Sequence, residues 1–208
     1  MNKTVTFWSG IIGTLLFIVS SILGGALIPG YNHIQQFISE SYAIDTTYGI
    51  YIRLFGYIPT GIFITAFAFS ALKFLPKSSL TKIGLILFGV FYGAGTIIVA
   101  IFPCDAGCNR ALINPSISQL IHNFSGGLTY LVVPICLILI GISAKKWGNG
   151  KRIAMLSIIC GIVAIVFTQL LVINSESNYI GFYQRLVESC ILFWLINFAL
   201  YIKTKTNT

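Results

Sequence analysis

Residues 83–102 read IGLILFGVFYGAGTIIVAIF, twenty consecutive positions without an acid, a lysine or an arginine. About 20 mostly apolar residues is the length an α-helix needs to cross the hydrocarbon of a bilayer. Five more stretches qualify: residues 7–27, 48–75, 119–142, 153–173 and 182–202. Composition agrees. Of 208 residues 56% are hydrophobic and 9% charged, with a mean hydropathy of +0.89. Soluble domains carry roughly 25% charge, and a small globule has too much surface to hide this apolar load. The expected fold is all-α: a six-helix transmembrane bundle forming one domain over residues 1–208. Residues 7–27 exceed the roughly 7–15 apolar residues of a signal peptide's core, so the first segment is expected to be retained.

The net charge of +8 comes from scarce acids, five in all, rather than from a dense basic patch, so no nucleic-acid partner is expected. With the amino terminus inside, ten of the thirteen basic residues fall on the cytoplasmic side: Lys3, Lys73, Lys77, Lys82, Lys145, Lys146, Lys151, Arg152, Lys203 and Lys205. The positive-inside rule therefore predicts a multi-pass cytoplasmic-membrane protein with both termini inside. Arg53, Arg110 and Arg185 lie toward the other side, with Glu40, Asp45, Asp105, Glu176, Glu188, His33 and His122. Acids contribute little to orientation, so this placement is either incidental or the mark of an outer polar site.

Gln184, Arg185 and Glu188 open the last apolar run. Arg185 and Glu188 share a helix face and are close enough to pair. Charges at such depth usually face a bundle interior; alternatively the pair pins the helix end, or the arginine reaches headgroups. Arg53 offers the same choice, and guanidinium groups here suit carboxylate or lipid phosphate. In the first outer loop Pro29-Gly30 breaks the helix. Tyr31, Ile34, Phe37 and Ile38 then recur at helical spacing, predicting an amphipathic helix on the membrane or a lid over the bundle.

Cys104 and Cys108, four apart in an outer loop, suit a disulfide closing a tight turn; a free, metal-bound or redox-active pair is the alternative. His33, His122, Asp105, Glu40 and Glu188 meet the ligand count of a catalytic zinc. Without an H-E-x-x-H or H-x-x-x-H spacing no cofactor is assigned, and zinc stays an open reading on His33, Asp105 and His122. No phosphate-binding glycine loop or nucleophile elbow occurs. Gly89 and Gly93, Gly24-Gly25 and Gly126-Gly127 suit close helix packing.

Several short motifs in this order resemble the bacterial family called domain of unknown function 998. They are Pro29-Gly30-Tyr31 running to Ile38-Ser39-Glu40, Phe102-Pro103-Cys104-Asp105 with Cys108, His122, and Gln184-Arg185. The resemblance covers roughly residues 10 to 200. It implies six membrane helices and a role for Ser39, Glu40, Asp105, His122 and Arg185, with no reaction attached. A more distant similarity is to membrane hydrolases of the alkaline-ceramidase kind, whose three zinc-binding histidines this chain lacks. The expected function is an outer polar pocket for a lipid headgroup or small polar ligand. Its candidate residues are Ser39, Glu40, Arg53, Asp105, His122, Gln184, Arg185 and Glu188, and its partners are membrane lipids. A metal-dependent lipid hydrolase and a small-solute transporter are the alternatives.

Overall fold

A computed structural model describes residues 1–204; Lys205 lies outside the described residues. It is helical throughout, with no strand among the described residues. Six helices are long and apolar enough to cross a membrane: α1 (Lys3–Ala26), α2 (Gly49–Phe74), α3 (Ser79–Ile101), α4 (Ile117–Ala144), α5 (Lys151–Ile173) and α6 (Ile180–Thr204). The chain is a multi-pass membrane protein. Each helix lies within a few residues of the apolar run that predicts it. Local chemistry sets several ends. The Asn2 side chain accepts from Val5 N at 2.9 Å to start α1, and Ser116 accepts from Gln119 N at 3.0 Å to start α4. Gly30, at φ +76, turns the chain after α1 in a region that favours glycine.

Consecutive helices pack side by side, and α1 packs on α6, closing a ring. An even number of spans leaves Lys3 and Thr204 at one end, the proximal end; the loops after α1, α3 and α5 form the distal end. At the ring's centre Trp194 of α6 stacks on Phe198 with centroids 4.8 Å apart and meets Phe88 of α3 edge-on at 5.0 Å. Its indole N–H donates to Ser157 Oγ of α5 at 2.7 Å, so the ring's one buried polar hydrogen is satisfied in a medium without water. Phe55, Ile62, Phe124, Leu131 and Ile159 point outward, as lipid solvation allows.

Two helices are interrupted. Residues Arg53–Tyr57 of α2 and Gly89–Ala94 of α3 wind as π-helix. Such turns re-aim side chains and leave carbonyls without their usual partner. In α3 the Thr129 hydroxyl of α4 donates to the Phe91 carbonyl at 2.6 Å, within that stretch.

The glycines divide. A Cβ on Gly61 would lie 2.5 Å from the Gly93 carbonyl, and one on Gly93 would strike Thr65, so α2 and α3 approach backbone to backbone. Gly24 and Gly25 instead make room for Ser41, Tyr31 and His33 of the first distal loop, rather than for a neighbouring helix. Gly126 and Gly127 face open space, which corrects their expected packing role.

The first distal loop also departs from expectation. Residues 28–41 form no amphipathic α-helix; they make turns and then a 3₁₀ helix, Ile38–Tyr42. The Asn32 side chain accepts from Ile34 N at 2.9 Å and from Gln35 N at 3.4 Å, competing with helical pairing. The segment still covers the bundle: Ile38, Ser39, Glu40, Ser41 and Tyr42 are all buried.

Gly61→Ala should lower stability by about 1–3 kcal/mol, because the backbone of α3 cannot retreat from the added methyl. Gly127→Ala should leave it unchanged or raise it by up to about 1 kcal/mol, since alanine is the better helix former. Unfolding of the two variants in detergent checks both.

Candidate functional site

Glu188 is the acid nearest the middle of a span. It projects from α6, 6% exposed, into the distal half of the ring. Its carboxylate accepts from the hydroxyl of Tyr92 at 2.7 Å and from that of Tyr130 at 2.8 Å. Tyr92 comes from the π turn of α3, Tyr130 from α4. The Tyr130 hydroxyl in turn accepts from Gln184 Nε2 at 2.9 Å, and Gln184 Oε1 accepts from the backbone N–H of Ile38 at 2.6 Å. One hydrogen-bonded line thus runs from the 3₁₀ roof through Gln184 and Tyr130 to the carboxylate.

Beneath that roof lies a cavity of about 70 Å³, lined by Ser39, Tyr42, Tyr57, Tyr92, His122, Tyr130, Gln184 and Glu188 with Phe17, Thr96 and Gly126 among the rest. A water needs about 10–15 Å³ of such space, so the cavity has room for several. The π turn of α2 ends on Tyr57, which is 1% exposed; its hydroxyl has no hydrogen-bond partner. A buried hydroxyl without a partner is costly, and this one sits in a cavity wall. The Tyr42 and Tyr57 rings meet with centroids 4.5 Å apart, and burial holds the Tyr42 phenol above its ordinary pKa, so it stays a neutral donor.

His122 lines the same cavity from α4. Its Nδ1 lies 2.9 Å from the Phe102 carbonyl and 3.2 Å from that of Val99. Both partners are acceptors, so Nδ1 carries the proton and the neutral ring keeps Nε2 as its acceptor. The imidazole closes the exposed end of α3, where carbonyls lack helical partners.

Four of the eight candidate residues, Ser39, His122, Gln184 and Glu188, come together here. The other four do not. Glu40 forms the only ion pair among the described residues, 2.6 Å to Arg110, and also accepts from Phe37 N at 2.9 Å and Gln36 Nε2 at 3.0 Å. It knots the two distal loops together. Asp105 accepts from the Ser116 hydroxyl at 2.5 Å and the Ser116 N–H at 3.0 Å, and these bonds hold its carboxyl below the ordinary carboxylate range. Arg53 is half-buried and donates only to the Gly49 carbonyl of its own helix, at 3.3 Å.

Arg185 does not pair with Glu188, which corrects the expectation from their spacing. Its Nη1 donates to the carbonyls of His33, Gln36 and Gly181 at 2.6, 2.8 and 3.0 Å, and Nη2 to the Tyr31 hydroxyl at 2.8 Å. Loop carbonyls left without partners by the turns outcompete a carboxylate already satisfied by two tyrosines. Cys104 and Cys108 are joined by a disulfide. Ser39 Oγ lies 3.2 Å from Cys108 Sγ; a disulfide sulfur has no proton, so the hydroxyl donates.

His33, Asp105 and His122 do not converge, and no group of three His, Cys, Asp or Glu arranged for a metal occurs among the described residues. His33 stands at the loop edge against Tyr31, its pKa lowered by partial burial and by the nearby Arg185 charge. The tyrosines of the cavity were not singled out by their residue types, because an aromatic in an apolar run reads as core. Their one distinguishing signal is a hydroxyl that needs a partner at membrane depth.

Residues 11–201 match the family model described as protein of unknown function (DUF998). The chain belongs to this family. No match is found among curated proteins or among solved structures. For a DUF998 chain the match spans all six helices, so the cavity and both loops that roof it fall inside the shared region.

Tyr92→Phe removes a donor from the buried carboxylate and should cost about 2 kcal/mol. Tyr57→Phe removes a hydroxyl with no partner and should leave stability unchanged or higher. Equal losses in thermal unfolding would show that the two hydroxyls are not in different states.

Proposed function

We propose that this DUF998 protein lies in a cytoplasmic membrane with its lysine-rich proximal end inside, and that the distal cavity binds a small polar ligand or a lipid headgroup from the outer side. The orientation rests on nine described basic residues, Lys3 through Lys203, that border the proximal ends of the helices. The binding reading rests on Glu188. Its carboxylate receives two tyrosine hydroxyls and no cation. A buried charge is costly when hydrogen bonds alone support it, and no lysine or arginine lines the cavity. The complementary ligand is a small cation with N–H donors, a primary ammonium, held by Glu188 and His122 Nε2 among tyrosine rings that favour cations. An isolated phosphate does not suit these walls, and neither Arg53 nor Arg185 lines the cavity, so no phosphate is placed inside it.

Transport is the second reading, and the two π turns favour it. Both deliver a cavity tyrosine, and such turns recur at functional sites in helices that shift register. An intramembrane acid beside a cavity is also common along transport paths. A hydrolase finds less support. The His122 Nδ1 proton goes to backbone carbonyls rather than to a carboxylate, and the Ser39 hydroxyl goes to a sulfur.

Titration of the purified protein with methylammonium tests the proposal. Millimolar ligand should raise the unfolding temperature of the wild type. Glu188→Gln should abolish the rise, and Tyr57→Phe, which keeps the fold, should reduce it. No stabilisation of the wild type, or full stabilisation of Glu188→Gln, would overturn the reading.

A further inference from the structure

Glu188 stands in the wall between two spaces. One is the cavity. The other is a groove of about 370 Å³ on the outside of the ring, where α1 and α6 meet. Phe17, Ile38 and Glu188 line both. Ile18 of α1 and Leu192 of α6 make the groove apolar below the level of Glu188, Ile22 stands about level with it, and His33 and Arg185 stand at its distal mouth. Ile22 on one lip is 57% exposed, and Ser189 on the other is also exposed. In a bilayer this groove meets lipid, because it runs along two membrane-spanning helices and touches the first distal loop only at His33 and Ile38.

The charges along it are complementary to a particular headgroup. Arg185 donates to three carbonyls and a phenol, all neutral, and makes no ion pair among the described residues. Glu188 has only tyrosines. Neither charge belongs to the single ion pair among the described residues. Arg185 at the distal mouth and Glu188 at the cavity wall therefore line one groove, three residues apart on α6 and without an ion pair between them. The positive group is at the headgroup level, and the negative one lies deeper, beside the cavity.

We infer that the groove admits a zwitterionic phospholipid bearing a primary ammonium from the distal leaflet. The phosphate docks at Arg185, where guanidinium suits its oxygens. The ammonium reaches Glu188 at the cavity wall, and an acyl chain lies along Ile18, Ile22 and Leu192. This rests on the proposal that Glu188 binds an ammonium, and it adds the source and the path. Hydrogen bonding sets the selectivity: a primary ammonium has N–H groups to donate to the Glu188 carboxylate, and a trimethylammonium has none. An anionic headgroup without nitrogen satisfies Arg185 alone and leaves Glu188 facing more negative charge.

Binding of the full chain in nanodiscs or mixed micelles, read by native mass spectrometry, tests it. Three lipids of identical chains are compared: phosphatidylethanolamine, phosphatidylcholine and phosphatidylglycerol. Phosphatidylethanolamine should bind on the order of tenfold more tightly than either of the others, the size expected for one charge-assisted hydrogen bond. Ser189→Trp fills the groove from an exposed position; it should abolish that preference while leaving methylammonium stabilisation intact, which also shows the variant is folded. Equal affinity for the three lipids, or a preference that survives Ser189→Trp, overturns the lateral path while the ammonium site stands. Failure of methylammonium and phosphatidylethanolamine alike overturns both.

Discussion

A carboxylate inside a membrane helix has to find its hydrogen bonds within its own protein, and the distal half of this bundle is arranged around that demand at Glu188. Tyr92 reaches the carboxylate from a π turn of α3, and Tyr130 reaches it from α4. Gln184 then ties Tyr130 to the backbone of the roof. Straightening the π turn would rotate Tyr92 away. Loss of the roof would free Gln184. The site, the helix irregularities and the loop over them are therefore one coupled arrangement, held together by a carboxyl group whose hydrogen bonds hydrocarbon cannot supply.

The roof is secured by side chains that also stand out as site candidates. Glu40 and Arg110 join the first and second distal loops, with the guanidinium also 4.9 Å over the Phe37 ring. Asp105 holds the second loop to the start of α4 through Ser116, and the Cys104–Cys108 disulfide sits against Ser39. Arg185 gathers the carbonyls of the first loop. Each satisfies backbone groups that the turns leave unpaired, in a region partly shielded from water, where such groups are expensive. The consequence is a cover tied down by many polar contacts over a small cavity, with the apolar groove between α1 and α6 along its side.

The fold was legible because its determinants are long. Twenty apolar residues, repeated six times with lysines between alternate pairs, leave little choice of architecture. The site was legible in part. Glu188, Gln184, His122 and Ser39 stood out as polar residues in apolar company, and the structure brings them to one cavity. What the sequence did not carry was competition between partners. Three-residue spacing puts Arg185 beside Glu188, but not the carbonyls of His33 and Gln36 that claim the guanidinium. The helical spacing of Tyr31, Ile34, Phe37 and Ile38 suggested an amphipathic helix, yet the Asn32 side chain caps the local N–H groups and turns form instead. The tyrosines were silent for a similar reason: Tyr57 and Tyr92 face the cavity only because π turns rotate them there, and no residue pattern marks a π turn.

If Glu188 is offset from outside the protein rather than by it, a structure determined with ethylammonium, at a resolution that shows side chains, should reveal the occupant. The ammonium nitrogen is expected within hydrogen-bond distance of the Glu188 carboxylate, in the cavity shared by Tyr57, Tyr92 and His122. A Glu188 carboxylate paired with Arg185, with ethylammonium bound elsewhere or not at all, would contradict it.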